Sequence, residues 1–356
     1  MGSSLVTMKD VARAAGVSQA TVSYVYNNAG RVSEAQRKHV YAVAAELGYT
    51  GPNAAGSSLR SGRVGAVGVV VMDSVADALE DPSTILLMKG IAQVGDLRDV
   101  ALTLLSAGED IRTSQALRGL VDGIVLHNMP EKHPLAGALS TSGVPAVAVD
   151  SPRTSGLPYV GIDDQRGAQR QMEHLLELGH RRVGILVDKL WVRGEGGLVS
   201  LEQARRATER NARERLAGHL KVWRQAGFDP SGLRIVDAAG IDDDAGARAA
   251  EILLDDDRVT GIVALSDVHA AAAARVARER GLSVPEDLSV IGYDDAPIAA
   301  LAGLTTIHQP IVDKGRQAAE ILLDRIAGGS RKRALLRTRL IERGSTAAVR
   351  PRNPRG

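Results

Sequence analysis

The sequence predicts an all-α helix-turn-helix head followed by an α/β body of two doubly wound parallel-sheet lobes. Three observations carry this expectation. The first fifty residues hold three short helical periods separated by turn chemistry. From Val64 onward, short β-branched runs alternate with amphipathic stretches, as expected of βα units whose parallel sheets are covered on both faces. The 356 residues are too many for one small domain and enough for two or three.

In the head, Thr7 can cap a helix, with Asp10 three positions on to complete a capping box. Val11, Ala12 and Ala15 share one face of that helix, and Gly16 breaks it. Ser18 can cap a second helix from Gln19 to about Tyr26, with Val22 and Val25 inward. Asn27-Asn28-Ala29-Gly30 ends it with turn residues. Ser33 with Gln36 forms another capping box for a third helix bearing Val40, Val43, Ala44 and Leu47, and Gly48 stops it. The tight Ala15-Gly16-Val17 turn suits a helix-turn-helix. The second helix then exposes Gln19, Ala20, Thr21, Ser23 and Tyr24, short or hydrogen-bonding side chains that can approach base edges in a major groove. A plain three-helix bundle with a polar face would give the same pattern.

Charge distribution is compatible with both, the bland reading being chance surface variation. Residues 1–63 carry seven Lys and Arg against three carboxylates, a net +4, which leaves −2 for the rest of a chain whose total is +2. A basic head on a slightly acidic body suits a polyanionic partner at the head.

In the body, strands are expected at 64–71, 101–105, 123–127, 145–149, 182–187, 234–236, 261–265 and 288–291. Helices are expected at 165–178, 203–226, 244–254 and 269–280. Proteins of this architecture take ligands between lobes, at the carboxyl ends of the strands.

Several function classes are excluded or disfavoured. There are no cysteines, hence no disulfides, thiolate metal sites or cysteine nucleophiles. No apolar run is long enough to cross a bilayer, MGSSLVTMKD lacks a signal peptide's apolar core, and Val6 stands where a myristoylation signal wants Ser or Thr. A cytoplasmic protein is expected. Gly194-Glu195-Gly196-Gly197 lacks the spacing of a nucleotide loop, and no Walker A, HExxH or GxSxG pattern occurs. The acidic runs 242–244 and 255–257 lack calcium-loop spacing, and the eight histidines form no ligand-spaced pair. Neither an enzyme, nor a cofactor, nor a metal site is expected.

The run TMKDVARAAGVSQATVSYVYNN, starting at Thr7, and RVSEAQRKHVYAVAAELGYTGPNAAGSSLRSG, starting at Arg31, together resemble the DNA-binding head and hinge of the LacI/GalR family. VDGIVLH (121–127), GVPAVAVD (143–150), VGIDDQRGA (160–168), HLLELGHRRVGIL (174–186), ALSD (264–267), VPEDLSVIGYDD (284–295) and LTTIHQP (304–310) resemble that family's sensor domain, which is like a type I periplasmic sugar-binding protein. The resemblance spans nearly the whole chain and is patchier at 74–84 and 189–211.

The resemblance implies a helix-turn-helix domain at 1–51, a hinge at 52–62 and an effector-binding and dimerisation domain at 63–356. The first lobe would comprise about 63–161 and 293–326, the second about 162–292 and 327–356. It implies a sequence-specific transcription regulator, a repressor, controlled by a small molecule of the sugar class. Gln19, Ala20 and Tyr24 fall at base-reading positions and Thr21 and Ser23 at phosphate-contacting ones. Thr7, Ser18, Asn27 and Asn53 join the DNA-binding set. Tyr24 departs from the Arg or His often found there. Leu59 matches the hinge leucine that wedges into the minor groove, the alternative being a linker leucine packed on the body. Gly56 stands where alanine is usual, and glycine inside a helix costs about 1 kcal/mol, so the hinge is expected to fold only on DNA.

The implied effector set is Asp73, Asp150, Trp191, Arg215, Ile241, Ser266, Asp294 and Gln309. Asp294 opposite Arg215 could bracket several sugar hydroxyls. Trp191 could stack on a sugar ring or simply pack. Ile241 replaces an aromatic residue common at its position, which argues against a planar purine-like ligand. The implied assembly is a homodimer on a pseudo-palindromic operator, without a membrane partner. The tail from Arg350 has no heptads to build a tetramer. The competing class is a free-standing sugar-binding protein with no DNA role.

Overall fold

A computed structural model of the chain describes residues 6–27, 32–51, 64–72, 74–97, 100–107, 120–191, 194–330 and 332–349. The chain divides into two compact units, Met1–Gly65 and Ala66–Gly356.

In the first unit, α1 (Met8–Ala14), α2 (Gln19–Asn27) and α3 (Glu34–Glu46) pack around Val11, Ala12, Ala15, Val22, Val25, Val40 and Ala44, all buried. The Thr7–Asp10 capping box is complete: the Asp10 amide donates to Thr7 Oγ1, and the Thr7 amide donates to Asp10 Oδ2 at 3.0 Å. At Ser33 only the hydroxyl half of the expected box is present, accepting from the Gln36 amide at 3.3 Å. Leu47, expected inward, is the exposed C-cap of α3. Tyr26 meets Tyr41 and Tyr49 edge to face, extending the small aliphatic core.

The second unit runs in chain order β1 (Ala66–Val71), α4 (Val75–Glu80), α5 (Pro82–Ala92), β2 (Ala101–Ser106), β3 (Gly123–His127), α6 (Pro134–Thr141), β4 (Ala146–Val149), β5 (Tyr159–Ile162), α7 (Asp164–Glu177), β6 (Val183–Val187), β7 (Gly197–Val199), α8 (Leu201–Arg205), α9 (Arg210–Gln225), β8 (Arg234–Asp237), α10 (Asp243–Leu254), β9 (Gly261–Ala264), α11 (Asp267–Glu279), β10 (Ser289–Asp294), α12 (Pro297–Leu301), β11 (Thr305–His308), α13 (Ile311–Ile326), β12 (Arg333–Leu336) and β13 (Arg339–Ile341). Two sheets result. One has the order β12-β5-β4-β3-β1-β2, the other β13-β11-β10-β9-β6-β8-β7. Pairing is parallel except at β7 and β13, which run antiparallel to their neighbours.

The strands are uniformly apolar because both faces are covered. In the first sheet, Val67, Val69, Val125 and Val147 point to one side with α5 and α13, while Ala66, Val70, Ile124, Leu126 and Ala146 point to the other with α6. The second sheet repeats this. Ile185, Ile235 and Val263 face α7 and α9; Leu186, Val236 and Ile262 face α10 and α11.

Three departures from the sequence expectation concern long-range placement. The strand β11, expected in the first lobe, lies in the second sheet; β12, expected in the second lobe, lies in the first. The chain thus changes sheets after β5, after β11 and after β12. The helix expected over 203–226 is two, α8 and α9, because the Leu190 carbonyl accepts the Thr208 and Glu209 amides and diverts the chain. Strands at 159–162, 197–199, 305–308, 333–336 and 339–341 lie outside the expected set; each is only three or four residues long. No helix among the described residues is long and apolar enough to cross a membrane.

Candidate functional site

In the first unit, Gln19, Ala20, Thr21, Ser23 and Tyr24, all expected to meet DNA, lie on α2. Ser18 caps it, its Oγ accepting from the Thr21 amide at 3.0 Å and lying 2.9 Å from Thr21 Oγ1. Gln19, Ala20 and Tyr24 are exposed, opposite buried Val22 and Val25, while Thr21 and Ser23 are half-buried at the flanks. The i, i+4 spacing of Ala20 and Tyr24 puts them on one stripe. Thr7 stands at the start of α1, with its hydroxyl occupied by Asp10 at 2.6 Å. Asn27 closes α2; its side chain, like Asn53 and Leu59, lies outside the described residues. The α1–α2 turn is at Gly16, with φ of 65°. His39 Nε2 meets the Ala15 carbonyl at 3.1 Å and Tyr41 donates to the Val25 carbonyl at 3.2 Å, so α3 fixes the angle between the two helices.

In the second unit, a cavity of about 150 Å³ opens at the carboxyl ends of β3, β4, β6, β9 and β10. That is room for on the order of ten waters. Asp150, Arg215, Ile241, Ser266, Asp294 and Gln309 all line it. Asp73 lies outside the described residues. Trp191 is not among the lining residues; it packs on the core between the second sheet and α7 and α9. Of the two alternatives for this residue, the structure has packing.

Two charged clusters organise the cavity. In the first, Arg215 donates from Nε to Asp164 Oδ1 at 3.0 Å and from Nη1 to the Leu265 carbonyl at 2.5 Å, and its Nη1 is 3.9 Å from Asp294 Oδ1. Its guanidinium carbon is 3.7 Å from the centroid of the Tyr293 ring. Burial raises the carboxyls of Asp164 and Asp294, against the pull of Arg215 on each, Asp294 well above its ordinary value. In the second cluster, the buried Lys314 ammonium donates to Asp150 Oδ2 and to Gln309 Oε1, the latter at 2.8 Å. Gln309 Nε2 donates in turn to Asp294 Oδ1 and so joins the clusters. His127, 3.9 Å from Asp150, is held below its ordinary value by burial.

Asp188, at the end of β6, accepts from Ser266 at 2.8 Å and lies 2.7 Å from His269 Nδ1. Burial would raise its carboxyl, but His269 beside it and the Ser266 hydroxyl hold it below the usual range. Across the cleft, Arg210 of α9 reaches Glu131 at 3.2 Å and Asn211 donates to Asn128 at 2.8 Å, so the lobes touch through side chains at the mouth.

The sequence reading did not include Lys314, Asp164, Asp188, His127 or the Asn128–Asn211 pair. Lys314 alone left a trace: it falls on the buried stripe of α13 with Ile311, Gly315, Ala318 and Leu322.

Comparison with known proteins places both units. Residues 7–53 match the family model described as bacterial regulatory proteins, lacI family, and residues 172–346 match that of the periplasmic binding protein-like domain. An HTH-type transcriptional regulator of Mycobacterium tuberculosis is 33% identical over 347 residues, covering 96% of each chain. A lac repressor dimer bound to operator and an anti-inducer superposes with a TM-score of 0.77 at 26% identity, over 97% of this chain and 100% of the other. A complex of the transcriptional regulator CelR with cellobiose gives 0.66 at 30% identity, over 96% and 99%. The chain belongs to the LacI family of bacterial regulatory proteins, a helix-turn-helix transcription regulator with a two-lobe, periplasmic-binding-protein-like body.

Proposed function

We propose that this protein is a cytoplasmic, homodimeric repressor without catalytic activity, which reads a pseudo-palindromic operator with α2 and is controlled by a sugar bound in the cavity of the second unit. The observation that carries the reading is the outward stripe of α2. Gln19, Ala20 and Tyr24 stand exposed on a helix whose opposite face is locked by Val22 and Val25. Such a helix end can enter a major groove, where Gln19 can read a base edge and Thr21 and Ser23 can meet the backbone. Thr7, Ser18, Asn27, Asn53 and Leu59 complete the proposed contact set.

The cavity supports a polyhydroxylated effector held by Asp150, Arg215, Ser266, Asp294 and Gln309, with Ile241 on its wall; Asp73 stays in the proposed set on the family resemblance alone. The cellobiose-bound CelR relative is consistent with this class, and the operator-bound lac repressor dimer with a two-fold assembly. In the order Ser266–Asp188–His269 the carboxylate sits between hydroxyl and imidazole, which is not the order of a serine activated by an imidazole. A DNA partner implies the cytoplasm.

Selection of duplexes from a random pool with the full chain, at fixed salt, tests the reading. Two inverted half-sites are expected to be enriched, and a sugar is expected to change their retention. Retention without sequence preference at any salt would overturn it.

A further inference from the structure

The carboxylates on the cavity wall outnumber the cations, and each buried cation already has a carboxylate partner. Asp81, Asp150, Asp188, Glu209 and Asp294 face Lys189, Arg215 and Lys314. Arg215 is held by Asp164, the Leu265 carbonyl and Asp294. Lys189 is engaged as well. Lys314 is 2% exposed and spans the space between Asp150 and Gln309. Its helix packs backbone to backbone on α5: a Cβ on the adjacent Gly315 would lie 2.1 Å from the Leu87 carbonyl, and one on Gly90 would lie 2.0 Å from the Val312 carbonyl. The ammonium is therefore fixed beside Asp150, as a resident counter-ion on a close-packed helix pair.

What remains for a ligand is a set of acceptors. Asp150 and Asn211 line the cavity, and Asp150 Oδ1 and Asn211 Oδ1 are buried with no hydrogen-bond partner among the described residues. A hydroxyl can donate to each. A phosphate or carboxylate would find both buried cations already neutralised and the surplus carboxylates facing it. An ammonium would find the position beside Asp150 taken by Nζ.

We propose that Lys314 is a specificity-determining residue: by cancelling Asp150 from within, it makes the cavity select an uncharged polyol over the phosphorylated and amino counterparts of the same sugar. This rests on the carbohydrate reading above. Replacing the ammonium with a neutral amide leaves Asp150 to be neutralised by the ligand, and selectivity moves toward the amino sugar.

The experiment is a thermal-shift titration of the full chain with glucose, galactose, ribose and cellobiose, alongside the hexose 6-phosphates and the 2-amino hexoses, since ligands that bind only the native state raise Tm. A neutral member is expected to raise Tm and its phosphate to leave it unchanged. In Lys314→Gln the ratio of amino to neutral affinity is expected to rise by at least tenfold. If that variant does not fold, Lys314→Met, which removes the charge and keeps most of the side-chain length, is expected to show the same rise in that ratio, and an unchanged ratio there overturns the proposal. A phosphate that outcompetes its neutral parent, or an unchanged amino-to-neutral ratio in Lys314→Gln, overturns the proposal while the carbohydrate reading stands. Carbohydrates of every charge leaving Tm unmoved would overturn the carbohydrate reading, and this proposal with it.

Discussion

Arg215 on α9 and Asp164 at the start of α7 form a buried ion pair at 3.0 Å, and they do so from two helices packed on the same face of the second sheet. The pair tethers the floor of the cavity, because Arg215 also reaches the end of β9 through the Leu265 carbonyl and lies over Tyr293 of β10.

Removing one partner of such a pair leaves the other uncompensated. Arg215→Met is expected to cost about 3–5 kcal/mol of stability at pH 7. The deficit should narrow in acid, because burial already raises the Asp164 carboxyl and a proton can replace the lost guanidinium. Urea denaturation of wild type and variant at pH 7 and pH 5 measures both. A deficit below about 1 kcal/mol at pH 7 would show that the pair is dispensable.

Asp267 predicts a pH dependence of opposite sense to the usual carboxylate. It is fully buried at the start of α11, accepting from Thr306 at 2.6 Å and from the Ala296 amide at 2.8 Å, and burial pushes it up to about 7 despite those bonds. A carboxyl raised in the folded state holds a proton there that the unfolded chain releases near its ordinary value of 3.8. Its contribution to stability is therefore full below about pH 3.8, falls as pH rises toward 7, and is gone above that. Asp267→Asn mimics the protonated form. The stability difference, wild type minus variant, should decline between pH 4 and 7 and level off beyond. A difference independent of pH would assign Asp267 an ordinary ionised state.

Much of this architecture was legible because local signals and tertiary packing agree. Thr7 with Asp10, and Ser18 before Gln19, mark helix starts through short-range hydrogen bonds that any context preserves. The lobe boundaries were less legible. Whether 305–308 joins the first or second sheet depends on pairing with Ser289–Asp294, and nothing in its own four residues expresses that partner. Most of the implied effector residues lie together on the cavity wall, yet the groups that set its charge were not read. A lysine on a helix ordinarily signals solvent, and Lys314 betrays its burial only by falling among Ile311, Gly315 and Ala318. Asp164 reads as a first-turn acidic residue, and its pairing with Arg215, fifty-one positions away, is a tertiary fact.

The α7–α9 contact that carries this pair depends on Gly218. A Cβ there would stand 2.4 Å from the Gln165 carbonyl and 2.9 Å from Ala168 Cβ, distances that require one helix to move. Gly218→Ala is expected to lose about 1–3 kcal/mol, the usual cost of overpacking, although alanine is the better helix former. Arg215 would be displaced with its helix, so sugar binding should weaken alongside stability. A stabilised variant with unchanged binding would mean the helices can separate freely.

Tyr24 gives the sharpest separation between reading and mere holding of DNA. It is 39% exposed on the outward stripe of α2, carries no charge, and lies one helical turn after Ala20. If it meets a base edge or a thymine methyl, Tyr24→Ala should change discrimination at one position of each half-site by about 1–3 kcal/mol. The slope of log affinity against log salt should stay the same, since that slope counts neutralised phosphates. Thr21→Val provides the contrast. Its hydroxyl lies 2.9 Å from Ser18 Oγ at the helix start, so its loss should lower affinity for all sequences alike. Anisotropy titrations against the selected operator and single-base variants of it, at several salt concentrations, distinguish the two. A uniform loss for Tyr24→Ala would reassign that ring to packing against the backbone, and base selection would then rest on Gln19 and Ala20.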